Sequence, residues 1–266
     1  MRWITIIIIT GILACTVAPA TVKCEPVELK ALKTLNARSS QWKSKSQMTE
    51  LRPNAIRETA YSLGVQHAVK WRYGQINHLL ETNSGKLDRI FNFNAHMLYN
   101  GLLMPPIVVK AGPAQRLENE KLIVFSDKTY RIIDDARLVT NAPDWRQYLL
   151  QYHDAIIDVH PSLLPKTAKE REIWQAAVEH GWHAGIQHAE YLYQQGLNRL
   201  QREIGGIIRY RILALQGVVN VPTIASARNS AEISEDNRKL QISKKVVRIM
   251  RDVMFVEESE WYPAAN

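Results

Sequence analysis

Residues 167–217 read TAKEREIWQAAVEHGWHAGIQHAEYLYQQGLNRLQREIGGIIRYRILALQG, and this stretch decides the fold. Apolar or small residues recur at Trp174, Val178, Trp182, Gly185, Ala189, Leu192, Gly196, Leu200, Ile204, Ile208, Ile212 and Leu215, every three or four positions, which is the period of a helix with one face on a core. Thr167 stands three residues before Glu170, the spacing at which a hydroxyl and a carboxylate cap each other's backbone amides, so the helix is expected to start there. Unbroken to Gly217 it would run for about fifty residues and about 75 Å, longer than a small domain is wide. Gly205-Gly206 is the expected break, since two helix-poor residues together cost about 2 kcal/mol relative to Ala. Gly181, Gly185 and Gly196, with Ala177 and Ala189, form a strip of small residues that lets another helix approach closely, from the same chain or from a partner subunit.

A second long helix is expected upstream. Ile56, Ala60, Leu63, Ala68, Trp71, Ile76 and Leu79/Leu80 keep a helical period, Pro53-Asn54 suits the start, and Asn83-Ser84-Gly85 suits the stop. A shorter block, residues 87–94, leads to Pro105-Pro106, which ends any helix. The period then changes. Ile107-Val108-Val109 is β-branched, and Leu122-Ile123-Val124-Phe125 is expected to pair with Tyr130-Arg131-Ile132-Ile133 as a hairpin across residues 126–129. Residues 136–140 extend this strand or add a third, and residues 141–144 open a helix carrying Trp145, Tyr148 and Leu149. Residues 218–225 and 240–250 are strand-like, separated by a polar loop from Arg228 to Lys239. The fold class is therefore α+β, rich in helix, with two long helices and a small antiparallel sheet or hairpins. Residues 51–266 are expected to form one such domain, with a variable C-terminal part after about 225.

The start of the chain has a different purpose. Arg2 supplies a positive charge, and Ile4 to Ala14 supply an apolar run of about eleven residues, too short to span a bilayer, which takes about twenty. Residues 1–14 read as a lipoprotein signal peptide, because Ile12-Leu13-Ala14-Cys15 resembles a lipobox whose cysteine is acylated before cleavage. Ordinary cleavage after Ala18-Pro19-Ala20 is the competing reading, and Cys24, preceded by Lys23, is a poor acylation site. With Cys15 modified, Cys24 is the one remaining thiol of the two cysteines, so no intrachain disulfide is expected. Residues 15–50, rich in Lys, Ser, Thr, Gln and Glu, read as a lipidated flexible tether, with helix-like periodicity only at Leu29, Leu32 and Leu35. The formal net charge of +8 is spread along the chain, an excess that suits acidic partners, lipid headgroups or nucleic acid, or is simply a solvated surface. No zinc-finger spacing or RNA-binding aromatic motif accompanies it.

Residues that might carry chemistry are few. His180 and His183 are three apart and could share a helix face toward one metal ion. A zincin helix, however, needs histidines four apart with a glutamate between them, and His188 lies five beyond His183. Asp134-Asp135, beside Arg131 and Arg137, are adjacent on an expected strand and so point to opposite faces. No nucleophile elbow, P-loop, kinase set or dinucleotide fingerprint occurs. No catalytic, cofactor-binding or metal-binding residue is expected, and the one site residue is Cys15, for lipid attachment.

The sequence resembles a known family. Residues 51–58, Ser62-Leu63-Gly64, residues 87–94, Pro105-Pro106, Asp127-Lys128-Thr129-Tyr130, Ala142-Pro143-Asp144-Trp145-Arg146, Leu164-Pro165-Lys166-Thr167 and Gly181-Trp182-x-x-Gly185 resemble, in order, the DotC family of type IVB secretion lipoproteins and their IncI-type conjugation counterparts. The resemblance extends from residue 51 to about 225, and none of its motifs is catalytic. It implies a structural lipoprotein of an outer-membrane core complex, held at the periplasmic face of the outer membrane through acylated Cys15. It further implies a DotD-like lipoprotein and a DotH-like subunit as partners within a symmetric multi-subunit ring, with no cofactor, no enzymatic activity and no direct nucleic-acid contact. The rival expectations are a periplasmic metal-assisted envelope enzyme using His180 and His183, and a soluble periplasmic adaptor for anionic partners.

Overall fold

The computed structural model describes residues 25–36, 51–112, 114–119, 122–126, 128–155, 159–233, 240–257 and 259. Its helices are α1 (Val27–Lys33), α2 (Leu51–Thr82), α3 (Ser84–Ile90), α4 (Arg146–Leu149) and α5 (Ala168–Leu215). Its strands are β1 (Leu103–Met104), β2 (Ile107–Ala111), β3 (Ala114–Asn119), β4 (Leu122–Ser126), β5 (Thr129–Asp134), β6 (Arg137–Leu138), β7 (Thr223–Ile233) and β8 (Leu240–Arg251). The class is α+β, with two long helices of 32 and 48 residues and antiparallel strand pairs. The described residues form two compact units, one drawn from residues 1–70 and 154–186, the other from 71–153 and 187–266.

In the first unit the N-terminal part of α2 lies along the N-terminal part of α5. Arg52 meets Glu170, Tyr61 meets Gly181, and Val65 meets Gly185. The contacts advance together along both chains, so the helices run parallel, which requires the long connection through residues 83–167. Their backbones touch: a Cβ at Gly64 would strike the Val178 carbonyl, one at Gly181 the Tyr61 carbonyl, and one at Gly185 the Val65 carbonyl. The strip of small residues thus serves packing within the chain at these positions. The α5 start is capped as its spacing predicts, with the Glu170 amide donating to Thr167 Oγ1 at 3.2 Å and the Thr167 amide donating to Glu170 Oε2 at 3.3 Å.

The segment read as a tether contains an ordered piece. Leu29 and Leu32 of α1 are buried, and the Trp174 indole Nε1 donates to the Leu32 carbonyl at 2.9 Å within the core. Lys33 Nζ, also in this unit, reaches Glu25 at 2.5 Å and Glu179 at 3.3 Å.

The second unit holds the strands. β2 pairs with β5 (Ile107↔Asp134 to Ala111↔Thr129) and β3 with β4 (Ala114↔Ser126 to Asn119↔Leu122), both antiparallel with register shifts at Ile107/Val108 and Leu117/Asn119, and β1 pairs with β6. The expected hairpin across residues 126–129 does not form. Leu122–Ser126 pairs backward with Ala114–Asn119, a polar segment with little apolar alternation, and Thr129–Asp134 pairs with β2. Because Leu122–Ser126 pairs with the segment before it, Ser126 and Thr129 belong to two different strand pairs instead of flanking one turn. β7 also extends further than expected, pairing with β8 from Thr223↔Arg251 to Ile233↔Leu240 and taking in residues 228–233 that read as loop. The cross-strand ladder there overrides the polar composition.

Helix α5 does not break at Gly205-Gly206. At Gly206 it comes so close to β2 that a Cβ would strike the Ile107 side chain. Ile204, Ile207, Tyr210 and Leu213 are buried around it, and each such side chain contributes about 1.5–3 kcal/mol, enough to outweigh the glycine cost. The buried face also departs from the expected one. Ile208, Ile212 and Leu215, placed on the core seam by their spacing, are 40%, 51% and 83% exposed. Steps of four residues advance about 400° on a helix of 3.6 residues per turn, so a seam read in fours drifts around the cylinder, and beyond Ile204 it leaves the core.

Candidate interaction site

Several residues that carry the family resemblance fasten one element to another. Arg52, at the start of α2, donates from Nε to Glu170 Oε1 at 2.7 Å and from Nη1 to the Ser162 carbonyl at 2.9 Å. Burial alone would push the Glu170 carboxyl up, but the Arg52 guanidinium and the amides of Lys166 and Thr167 outweigh it and hold the group below the usual carboxylate range. Gly64, Gly181 and Gly185 set the helix contact described above. Asp88 of α3 accepts from the buried Trp145 Nε1 at 2.7 Å and from Arg146 Nη1 at 2.8 Å, and Arg146 also holds Asp144 at 2.9 Å and lies over the Trp145 ring. The Arg146 hydrogen bond, then that of Trp145, keeps the Asp88 carboxyl below its ordinary value.

A groove of about 630 Å³ opens in the first unit between Arg57, Glu58 and Tyr61 of α2 and Glu172, Ile173 and His180 of α5. The His180 and Tyr61 rings stand 5.3 Å apart, tilted by 46°. His180, His183 and His188 are all exposed. Among the described residues no group of three His, Cys, Asp or Glu side chains is gathered as a metal site requires, and Glu179, beside His180, accepts from Lys33 Nζ at 3.3 Å. Asp134 ends β5 and Asp135 follows it, both exposed.

One polar network, centred on a buried carboxylate, has no counterpart in the sequence pattern. Tyr148 Oη donates to Glu203 Oε2 at 2.5 Å, and Arg199 Nε reaches Glu203 Oε1 at 3.0 Å. Glu203 is buried on α5, and burial, followed by the Glu203 hydrogen bond, raises the Tyr148 pKa. A charged residue in a nominally exposed helical pattern has no signal that marks it as buried.

The second unit also carries a ribbon. β7 and β8 pair only with each other among the described residues, leaving both outer edges open. Arg228 stands directly opposite Lys245, and both are exposed, as are Arg248 and Arg251. Like charges placed opposite each other repel, so the ribbon surface suits an anionic partner. Its base is fixed by Asn220, whose Nδ2 donates to the Asp252 carbonyl at 3.0 Å and whose Oδ1 accepts from the Met254 amide.

Cys15, Cys24 and the alternative cleavage site at Ala20 lie outside the described residues. Among the described residues no helix is long and apolar enough to cross a membrane. A family model described as "Type IV secretory system, conjugal DNA-protein transfer" matches residues 50–263. No curated protein matches the chain. The chain therefore belongs to the type IV secretory, conjugal DNA-protein transfer family.

Proposed function

We propose that this member of the type IV secretory, conjugal transfer family is a non-enzymatic structural lipoprotein of an outer-membrane core complex. One observation carries the reading. Several residues of the DotC-like pattern are occupied in holding the framework together, through Arg52 with Glu170, Gly64 with Gly181, Gly185 with Val65, and Asp88 with Trp145 and Arg146. Of the pattern, Arg57 and Glu58 line the groove of the first unit, while the paired residues named above lie outside its lining, unlike a catalytic set gathered on one cleft. Acylated Cys15 anchors the chain at the periplasmic face of the outer membrane. Each buried methylene contributes about 0.8 kcal/mol, so several acyl chains hold durably. DotD-like and DotH-like subunits are the neighbours it helps to place.

Membrane fractionation with pull-down tests this, comparing wild type with Cys15→Ser. Wild type is expected in the outer membrane within a large complex and Cys15→Ser outside it. Unchanged processing and location of the variant would sink the lipoprotein reading.

The basic ribbon supports a second reading, in which the chain also grips an anionic partner. Binding would then weaken steeply with salt. Binding that is flat from low to high salt removes this reading.

A further inference from the structure

Between Ile204 and Leu215, α5 is apolar nearly all round. Ile204, Ile207, Tyr210 and Leu213 are buried on one side, while Ile208, Ile212 and Leu215 are 40%, 51% and 83% exposed on the other. A helix apolar on both faces is normally covered on both. Gly205, partly exposed, and the exposed Ile208, Ile212 and Leu215 follow the three-four spacing of a coiled-coil seam, at which one helix receives another. Gly205 opens this seam, and a Cβ there would meet nothing within 4 Å, so an approaching backbone has room.

Charge decides the occupant. Arg202, Arg209 and Arg211 flank the seam. Arg209 donates to the Val108 carbonyl at 2.6 Å and Arg211 to the Ala95 carbonyl at 2.9 Å, and neutral acceptors leave both positive charges in place. A second copy of this chain would set arginines against arginines across the seam. An amphipathic helix flanked by Asp or Glu would instead be attracted. We infer that the Gly205–Leu215 face of α5 seats an acidic-flanked amphipathic helix of another subunit of the apparatus. The inference rests on the assembly role proposed above, and it names the surface and the chemistry of one contact.

The test is site-specific photocrosslinking in cells that carry the whole apparatus, with the full chain bearing a photoreactive residue at Ile212 or, as control, at exposed Gln187. The adducts are mapped by mass spectrometry. The expected adduct at Ile212, absent at Gln187, lies in a helical segment of another subunit with acidic residues beside an apolar heptad stripe. Arg202→Glu, at an exposed position, should reduce its yield at least threefold, while circular dichroism remains that of wild type. An adduct to a second copy of this chain, an adduct to lipid, no adduct, or a yield indifferent to Arg202→Glu overturns the inference. Co-purification of the chain with the apparatus separates the two readings. If it co-purifies and Ile212 fails to capture a helix, only the docking surface falls. If it does not co-purify, the assembly role falls and takes this surface with it.

Discussion

Arg52 Nε and Glu170 Oε1 meet at 2.7 Å across 118 residues of chain, and the same carboxylate caps the start of α5 through the Lys166 and Thr167 amides. One group therefore both begins a helix and fastens it to another. Arg52→Ala leaves the buried Glu170 without its cation, and a loss of about 2 kcal/mol is expected in denaturant unfolding, less than for a fully buried pair because Arg52 is partly exposed. Arg52→Lys should recover only part of this, since an ammonium cannot span both Glu170 and the Ser162 carbonyl as a guanidinium does. Equal stability of all three proteins would show that the pair contributes nothing.

The same carboxylate sets an acid limit. Its folded pKa is depressed, so its contribution is present above the unfolded-state value of about 4.3 and is lost as pH falls through the lower folded value. Glu170→Gln should be less stable than wild type at neutral pH, and its deficit should shrink on acidification. A pH-independent deficit would assign the loss to packing instead.

At the alkaline end, burial pushes the hydroxyls of Tyr73 and Tyr210 up to about 12. Both are protonated in folded and unfolded chains below about pH 10, so their contribution is complete there. It is lost as pH rises from about 10 through 12, because the unfolded chain ionises first. The part of the phenolate absorbance that is lost on Tyr73→Phe or Tyr210→Phe should develop in step with unfolding across that window. Titration of these tyrosines in a chain that stays folded would contradict their burial.

Two glycines on the long helices should respond in opposite senses to the same substitution. Gly181→Ala drives a methyl into the Tyr61 carbonyl and should cost about 1–3 kcal/mol. Gly74→Ala meets nothing within 4 Å and should add about 1 kcal/mol by helix propensity. Thermal melting of the two variants decides the matter, and a tolerated Gly181→Ala would mean that the backbones are not in contact.

Docking of α1 can be followed at one proton. Removing the Leu29 and Leu32 side chains together should release α1 and speed hydrogen exchange at the Trp174 indole, which donates to the Leu32 carbonyl. Unchanged protection of that proton would separate α1 from the Trp174 environment.

The two long helices and their mixed class were legible because period and capping act locally: Thr167 and Glu170 announce the start of α5, and Trp174, Val178 and Trp182 announce its face. What was hidden depends on distant residues. The departure of the α5 seam from the core after Ile204 needs knowledge of which elements flank it, and the continuity through Gly205-Gly206 needs the packing of Ile207 and Tyr210. The pairing of Leu122–Ser126 was misread because its true partner, Ala114–Asn119, is polar. The groove could not be foreseen, since Tyr61 and His180 are brought together only by the parallel contact of α2 and α5.

The basic residues of the β7–β8 ribbon have a consequence for the chain before it meets any neighbour. Open strand edges are templates along which identical molecules zip into aggregates. With Arg228, Lys245, Arg248 and Arg251 exposed on every copy, two ribbons approaching edge to edge repel. The positive charge thus acts as a guard against self-polymerisation, keeping the edges available while newly made copies crowd together.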